Sequence, residues 1–250
     1  MEKIAVVNRK GGVGKSTTAH YIGAYFARKG AKVLLVDLDA QCTLTFLTGG
    51  KGAEHNTFSV LSRKSKPEQA IQTLGAGYDL IPGNPQLATA DKVLDGIGKE
   101  YRLKEALEPL KRYDYIIIDT PPTLGILTTN ALTACDAVII PAQADETSLQ
   151  GIAQVAQDLE LVKRYVNPRL NVAGIAITRF NSRSAICKAT AEEISRRARA
   201  LGTRAYETRI RECNAIREAQ HARKDIFTYA PKSNASKDYT ALLEEIERSL

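Results

Sequence analysis

The chain has 250 residues, of which 44% are hydrophobic and 25% are charged, and its formal net charge is +7. This length suits one large domain or two small ones with a substantial core, and the positive charge hints at a polyanionic partner. No apolar run reaches the ~20 residues that span a bilayer, and the strand-like start MEKIAVVN is unlike a secretory signal peptide. The four cysteines lack C-x-x-C spacing, which indicates reduced thiols in a cytosolic protein.

Six short β-branched runs predict strands, and helical patterns lie between most of them. Several of these runs are almost wholly apolar, which is typical of strands buried on both faces. The alternation predicts an α/β fold, a mostly parallel twisted β-sheet flanked by helices on both faces. No repeat or low-complexity linker interrupts it, so we predict a single domain over residues 1–250. The predicted strands are Ile4–Val7, Val33–Val36, Tyr78–Ile81, Tyr115–Ile118, Ala137–Ile140 and Val172–Ile177.

Polar segments follow three of these strands. A glycine-rich loop follows the first, DLDAQ (Asp37–Gln41) follows the second, and DTPP (Asp119–Pro122) follows the fourth. Sheets of this kind bind ligands at the carboxyl ends of their strands. We therefore expect the three segments to meet at one edge of the sheet and form one site.

The glycine-rich loop fits most of the phosphate-binding pattern G-x-x-x-x-G-K-[ST]. Its glycines let backbone N–H groups approach phosphate oxygens, and the helix that begins at Thr17 turns its positive end towards the anion. Lys15 is predicted to reach the β- and γ-phosphates and Ser16 to place its hydroxyl on Mg²⁺. The pattern departs at one position, because Arg9 stands where its first glycine belongs.

Three aspartates complete the predicted site. Asp119 ends an apolar strand, as the magnesium-side aspartate of phosphate-loop ATPases does. Asp37 and Asp39 lie two residues apart on the chain that leaves the second strand, so one can aid metal binding while the other positions the attacking water. The alternative is that both are solvent-exposed loop residues.

Several blocks resemble the ParA/Soj-type partition ATPases, within the larger ParA–MinD group, and the resemblance runs over nearly the whole chain. They are KGGVGKST, LLVDLDAQ, YDLIPGNPQLA, IIIDTPPTLGILTTNAL, VIIPAQADETSLQGI and IREAQHARKDIFTYAPKSNASKDYTALLEEI. Two segments depart from the commonest family pattern. DAQCTLT stands where many members read D-P-Q-G-N-A-T, and RECNAIREAQ (Arg211–Gln220) replaces PRNVRLSEAP.

The resemblance implies a deviant Walker A P-loop with a signature lysine, Lys10, that reaches across an ATP-sandwich dimer to the partner's nucleotide. Such a lysine offsets the repulsion between two facing ATP molecules and makes dimerisation depend on nucleotide. Gly11 is then a dimer-interface glycine, Asp39 the water-positioning aspartate of the first switch, and Asp119 the aspartate of the second switch.

The predicted site residues fall into three groups. The catalytic residues are Lys10, Lys15 and Asp39. The metal ligands are Ser16, Asp37 and Asp119. The nucleotide-binding residues are Lys10, Gly11, Gly12, Val13, Gly14, Lys15, Ser16 and Thr17 in the loop, with Arg179, Asn181 and Pro231 around the adenine.

The positive charge is concentrated between Arg179 and Lys224, a segment with 12 Lys/Arg, 5 Glu and no Asp. Within it, Ala191, Ile194, Ala198 and Leu201 share one helical face, and the arginines between them point elsewhere. We predict phosphate-backbone contacts to DNA without base readout. The predicted DNA-binding residues are Arg196, Arg197, Arg199, Arg209, Arg211 and Arg217.

The resemblance further implies the working cycle of a partition ATPase with ATP and Mg²⁺ as cofactors. The ATP-bound homodimer binds non-specific DNA, a ParB-type centromere-binding adaptor stimulates hydrolysis, and the dimer then dissolves, which moves a plasmid or chromosome. The expected location is cytoplasmic and nucleoid-associated, without membrane binding. An additional N-terminal helix-turn-helix domain is not expected, because the first strand begins almost at the first residue.

Other functions of the same ATPase group remain as alternatives. Orphan ParA-like ATPases position other cargo on the nucleoid and differ only in the adaptor. A MinD-like membrane-cycling ATPase needs a basic amphipathic C-terminal helix, whereas the tail KDYTALLEEIERSL is acidic on its polar face and is predicted to pack on the body. Iron-protein-like reductases need a cluster of cysteine ligands, whereas Cys135 is predicted to be a small buried hydrophobe.

Overall fold

The computed structural model describes all 250 residues. Its centre is an eight-stranded sheet in the order β3-β4-β2-β5-β1-β6-β7-β8, in which every neighbouring pair is parallel except β3 with β4. The strands are β1 Glu2–Val6, β2 Val33–Asp37, β3 Gln72–Thr73, β4 Tyr78–Ile81, β5 Tyr115–Asp119, β6 Ala137–Gln143, β7 Asn171–Phe180 and β8 Ala205–Arg211. The predicted fold class is confirmed, as are all six predicted strands.

Twelve α-helices and two short 3₁₀ helices connect these strands. The α-helices are α1 Lys15–Arg28, α2 Thr43–Leu47, α3 Thr57–Leu61, α4 Pro67–Ala70, α5 Ala90–Val93, α6 Arg102–Leu107, α7 Ile126–Ala134, α8 Glu146–Tyr165, α9 Ala185–Ala200, α10 Asn214–His221, α11 Ile226–Tyr229 and α12 Asn234–Glu247. The 3₁₀ helices are Pro85–Thr89 and Lys99–Tyr101. No helix has both the length and the hydropathy that a membrane crossing requires.

Two hydrophobic cores cover the two faces of the sheet. Alternate residues of one strand enter different cores: Ala5 packs with helices α3 to α9, whereas Ile4 and Val6 pack with α1, α10, α11 and α12. Because successive side chains of a strand point to opposite faces, a strand covered on both sides must be apolar throughout. This explains why the central strands read as continuous apolar runs.

The strand register brings the ends of three strands to one level. Val6 of β1 pairs with Asp119 of β5, and Asp119 pairs in turn with Asp37 of β2. The glycine-rich loop leaves β1 immediately beyond this level. The sheet itself therefore places the three polar segments side by side at its carboxyl edge.

The C-terminal helix α12 covers the core through its apolar face. Tyr239, Leu242, Leu243 and Ile246 are buried, which confirms that this helix packs on the body, whereas the terminal Leu250 remains partly exposed. Its polar face is also used, because the Glu245 carboxylate accepts hydrogen bonds from the backbone N–H groups of Glu207 and Thr208 at 2.8 Å each on the edge strand β8. These bonds satisfy N–H groups that an uncovered sheet edge would leave open.

Two further predictions concern the state of the cysteines and the apolar face of helix α9. All four cysteines are free, and Cys135 is buried as predicted. In α9 the predicted apolar face is confirmed for Ala191, Ile194 and Ala198, which are buried. Leu201 departs from it, because it is the C-cap residue beyond the last turn and is 43% exposed.

Candidate functional site

The loop between β1 and α1 has the backbone of an anion-binding turn. Gly12 has φ +76° and Gly14 has φ +93°, a left-handed conformation that glycine adopts without steric cost. Gly14 is also the N-cap of α1 and supplies no side-chain oxygen to the first turn of that helix. The N–H groups at this helix end are therefore directed at the space above the loop, where an anion can accept them.

Lys15 lies at the base of this loop and is 7% exposed. Its Nζ donates a hydrogen bond to the Lys10 carbonyl oxygen at 3.2 Å. Burial lowers the pKa of Lys15, and the nearby carboxylates of Asp119 and Asp39 oppose that shift. The predicted phosphate lysine and two of the predicted aspartates are therefore close in space.

Asp119 is the only carboxylate of the site whose oxygens are both fully buried without a hydrogen-bond partner. Burial raises its pKa well above the ordinary value, Asp37 adds to the rise, and the Ser16 hydroxyl and Lys15 oppose it. A buried polar group without a partner is costly, so these two oxygens are suited to accept a hydrogen bond or to bind a cation. Asp119 and Ser16 together are suited to a hard divalent cation with oxygen ligands.

Asp37 is buried but, unlike Asp119, accepts three hydrogen bonds from protein donors. Its Oδ1 accepts the Asp39 N–H at 3.0 Å, and its Oδ2 accepts the N–H and hydroxyl of Thr45 at 2.8 and 2.7 Å. The Thr45 hydroxyl accepts in turn from the Gly83 N–H at 2.9 Å, which ties the loop after β4 to the same network. Burial raises the pKa of Asp37 to about 6 in spite of these bonds. Through these bonds Asp37 holds the loop that carries Asp39. Its role as a metal ligand stays a prediction.

Asp39 lies at the partly exposed mouth of the site. Its Oδ1 accepts the Gln41 N–H at 3.0 Å, and its Oδ2 makes no hydrogen bond within the chain. Cys42, three residues further on, has φ +53°, so the departure from the family pattern at this position places a non-glycine residue in the left-handed region.

Lys10 points away from the phosphate loop, towards helix α8. Its Nζ lies 2.5 Å from Oδ2 of Asp145 and 3.4 Å from the Ser148 hydroxyl. Burial raises the pKa of Asp145, but the hydrogen bonds from Lys10, Ser148 and Thr147 outweigh it and bring this pKa down to about 2. Arg9, left unexplained by the sequence, is bound to Asp158 of the same helix.

A small cavity of about 70 Å³ opens beside the loop, between β7, β8 and α10. Arg179, predicted for the adenine surround, lines it, whereas Asn181 and Pro231 do not. Gln220 reaches the loop directly, with its Nε2 donating to the Thr17 hydroxyl at 2.7 Å. The segment RECNAIREAQ, which departs from the family pattern, supplies much of the wall. Seven further lining residues were not predicted from the sequence: Thr178, Ile210, Glu212, Cys213, Ile216, Gln220 and Tyr239.

The six arginines predicted to bind DNA occupy three different settings. Arg196 and Arg197 both pair with Glu193 on α9, at 2.8 and 3.0 Å. Arg211 and Arg217 line the cavity, where Asp238 and Glu212 bind them at 2.6 and 2.9 Å. The two without a carboxylate partner are Arg199, exposed on α9, and Arg209, whose guanidinium lies over the Phe180 ring. The charge available to a polyanion is therefore smaller than the residue count indicates.

Sequence comparison finds relatives over nearly the full chain. A model of the AAA domain family matches residues 1–172. The sporulation initiation inhibitor protein Soj of Bacillus subtilis is 38% identical over 248 residues, which cover 97% of both chains. The chromosome-partitioning ATPase Soj of Thermus thermophilus is 36% identical, with 98% of this chain and 95% of the relative covered.

Structure comparison finds the same architecture in proteins that hold nucleotides. Cobyrinic acid a,c-diamide synthase from Mycobacterium smegmatis, with bound ADP and magnesium, has a TM-score of 0.84 and 32% identity, covering 99% of this chain and 94% of the synthase chain. A plasmid partition protein from Borrelia burgdorferi bound to AMPPNP also has a TM-score of 0.84, at 27% identity, covering 100% of this chain and 99% of that protein.

Proposed function

The chain belongs to the AAA domain family and to the ParA/Soj-type partition ATPases within it, and on that premise we propose that it binds ATP with Mg²⁺ and hydrolyses the ATP to ADP and phosphate. One observation carries the proposal. The unpartnered buried carboxylate of Asp119 lies beside Lys15 and Ser16, at the end of a loop built to bind an anion. The two compared structures hold adenine nucleotides, one of them with magnesium, and we infer nucleotide binding for this chain from that shared property.

In the proposed reaction the loop and Lys15 bind the phosphates. No side chain caps the N-terminus of α1, so the N–H groups around Gly14 can donate to phosphate oxygens. Lys15 adds one positive charge at the β- and γ-phosphates. Ser16 and Asp119 are the residues that would hold Mg²⁺. When bound, the metal neutralises charge that develops on the phosphate oxygens. Asp37 keeps its three hydrogen bonds and thereby holds the first switch in place.

Asp39 is the residue that orients the attacking water in this proposal. Asp39 is partly exposed, and its Oδ2 makes no hydrogen bond within the chain, so this oxygen can accept a hydrogen bond from water. Its backbone N–H is fixed on Asp37, so the carboxylate is positioned by the buried network and not by its own side chain alone. A pre-positioned acceptor of this kind aligns the nucleophile for in-line attack.

The partition role adds an ATP-dependent homodimer. Gly11 and Gly12 are exposed, and a Cβ at either position would meet no atom within 4 Å, so the loop surface is open to a second copy. Lys10 is 24% exposed at the same edge, which lets it exchange Asp145 for the phosphates of the partner. The dimer then binds non-specific DNA and is released when a ParB-type adaptor stimulates hydrolysis, which moves a plasmid or chromosome within the cytoplasm on the nucleoid.

For the DNA surface we favour the exposed side of α9. Arg199 has no carboxylate partner, and Arg196 is largely exposed although it pairs with Glu193. Exposed ion pairs are weak, so a DNA phosphate can compete for Arg196. Binding through phosphates alone predicts that affinity for random duplex DNA falls steeply as salt rises. The buried apolar face of α12 leads us not to propose MinD-like membrane cycling.

Light scattering combined with DNA binding tests the proposal. The wild-type chain is measured with ADP and with a non-hydrolysable ATP analogue plus Mg²⁺, on random duplex DNA at two salt concentrations. We expect monomers with ADP, and dimers that bind DNA with the analogue. The Lys15→Ala variant is expected to lose nucleotide binding and therefore both responses. A chain that binds DNA equally with ADP and with the analogue, or independently of salt, would contradict the proposed cycle.

A further inference from the structure

Arg9 occupies the position of the first glycine in the phosphate-loop pattern. The proposed ATPase reaction assigns no role to its side chain. Its guanidinium makes two hydrogen bonds to one carboxylate, from Nε to Oδ2 of Asp158 at 2.7 Å and from Nη2 to Oδ1 at 2.6 Å. The Asp158 side chain is only 9% exposed and that of Arg9 is 32% exposed. A bidentate pair of this kind is geometrically specific and among the stronger hydrogen-bonded pairs in proteins.

The partner of Arg9 lies on the helix that also holds Lys10. Asp145 is the N-cap residue of α8 and binds Lys10, whereas Asp158 lies in the second half of the same helix and binds Arg9. The two aspartates are separated by about 20 Å at the rise of an α-helix. The side chains of the neighbouring residues Arg9 and Lys10 therefore run in opposite directions along α8.

Between these two ion pairs the loop backbone touches the helix. A Cβ at Gly151 of α8 would lie 3.1 Å from Oδ1 of Asn8 and 3.8 Å from the Cβ of Lys10, so glycine permits the close approach. Asn8 is fixed on both sides, since its Oδ1 accepts the Lys10 N–H at 2.9 Å and its Nδ2 donates to the Pro141 carbonyl at 2.6 Å. The loop thus lies across α8, and two ion pairs, Arg9 with Asp158 and Lys10 with Asp145, bind it to this helix.

The two ties differ in how easily they break. Lys10 and Asp145 are 24% and 41% exposed, so solvent can replace either partner, whereas Asp158 is nearly buried and has Arg9 as its ionic partner. Removing one partner of a buried ion pair is costly, while exposed pairs are worth little. If Lys10 leaves Asp145 for a second subunit, the Arg9 pair is the tie that remains.

We propose that Arg9 is a positioning residue for Lys10: bound to Asp158, it holds residues 8–10 on α8 while Lys10 moves from Asp145 to the nucleotide of the partner subunit. This inference rests on the proposed function, and it deepens the role of that same loop. Without the pair, dimerisation has to order the loop backbone as well as the Lys10 side chain, and that ordering costs free energy. Arg9 therefore favours the dimer without touching nucleotide.

The test separates dimerisation from nucleotide binding. The variants are Arg9→Gln, Asp158→Asn, the double variant, and Arg9→Lys, which keeps the charge but cannot form the bidentate pair. For each, we measure the affinity of the monomer for a fluorescent ADP, the dimer dissociation constant with a non-hydrolysable ATP analogue, and the melting temperature. Arg164→Gln, an exposed arginine on α8 without a carboxylate partner, is the matched control.

We expect each single neutral variant to weaken the dimer by about tenfold, within the usual range for coupled sites. The ADP affinity of the monomer should change by less than about twofold, and the double variant should be no worse than the singles, since both act through one pair. Arg9→Lys should recover part of the loss. A purely structural role predicts instead that ADP affinity, dimerisation and melting temperature fall together.

Two outcomes overturn the inference and can be told apart. If the wild-type chain dimerises with the ATP analogue and the Arg9 and Asp158 variants dimerise equally well, or lose ADP affinity by the same factor, only the role of Arg9 is lost. If the wild-type chain stays monomeric with the analogue, the proposed dimer cycle fails, and the role of Arg9 fails with it.

Discussion

The signature lysine Lys10 is bound by Asp145, with 2.5 Å between Nζ and Oδ2, and Asp145 is at the same time the N-cap of helix α8, where its Oδ1 accepts the Ser148 N–H at 2.9 Å. One carboxylate thus caps the start of helix α8 and also binds the lysine that the proposed dimer needs. While this pair persists, Lys10 is not available to a second nucleotide.

Replacing Asp145 by Asn separates these two roles. Asparagine keeps the capping oxygen but removes the charge that holds Lys10. We expect the dimer formed with an ATP analogue to tighten by about threefold, the scale of a partly exposed ion pair. Analytical ultracentrifugation measures the shift. Asp145→Ala, which also loses the cap, should melt at a lower temperature than Asp145→Asn, and an Asn variant that dimerises no better than wild type would show that the pair does not restrain Lys10.

Replacing Asp39 by Ala should block turnover but not dimerisation. The substitution removes the free Oδ2 that we assign to the attacking water, while the backbone N–H to Asp37 survives. We expect ATP hydrolysis to fall about a hundredfold or more, as for the loss of a positioned acid–base group. Phosphate release and light scattering measure the two effects. Asp95→Ala, at an exposed loop position, is the control, and rapid turnover in the Asp39 variant would remove Asp39 from this role.

Buried His20 should make the protein sensitive to mild acid. Its Nε2 lies 2.7 Å from the Tyr78 hydroxyl, and burial lowers its pKa from 6.5 to about 4, against a smaller opposing effect of Asp225. Above pH ~6.5 the imidazole is neutral in both states, so it contributes no pH dependence. As the pH falls towards ~4, the unfolded chain binds a proton that the folded chain excludes, so the free energy of unfolding decreases, by about 3 kcal/mol in total.

Urea unfolding between pH 4 and 7 measures this effect. His20→Gln retains a hydrogen-bonding group but cannot take up the proton, so its free energy of unfolding should fall less steeply than that of wild type over this range. His221→Gln, at an exposed position, should keep the wild-type slope. Identical slopes for wild type and His20→Gln would contradict the prediction.

The ring of Tyr206 on the neighbouring strand β8 leaves no room for a side chain at Gly174 of β7. A Cβ at Gly174 would lie 2.5 Å from Cζ of Tyr206, whose ring is buried and whose hydroxyl lies 3.0 Å from the Ser249 Oγ. We expect Gly174→Ala to lower the free energy of unfolding by about 1–3 kcal/mol, the usual cost of overpacking. Gly52→Ala, where a Cβ meets nothing within 4 Å, is the matched control. Equal stability of the two variants would mean that the Tyr206 ring moves aside without cost.

The strands differ in how well the sequence predicts them, and burial explains why. The six predicted strands are covered on at least one face by a core and read as apolar runs. β8, with the sequence AYETRIR, was not predicted, because it is an edge strand with polar residues between its buried Tyr206 and Ile210. β3 has only two residues and carries no pattern at all.

The sequence by itself determined the α/β class, the phosphate loop and the three strand ends that form the candidate site. Each of these depends on a local feature: a short apolar run between helical patterns, a glycine-rich loop, or a polar residue that directly follows a strand. Tertiary structure alone decided which charged groups are free. In the folded chain Thr45 donates two hydrogen bonds to Asp37, whereas the Asp119 carboxylate has no hydrogen-bond partner. Lys10 and Arg9 pair with aspartates in different parts of α8. These pairs join residues more than 130 positions apart for the two basic residues, and no local pattern encodes such a contact. The sequence shows which side chains are charged, but the packing of the folded chain determines which ionic partner each of them has.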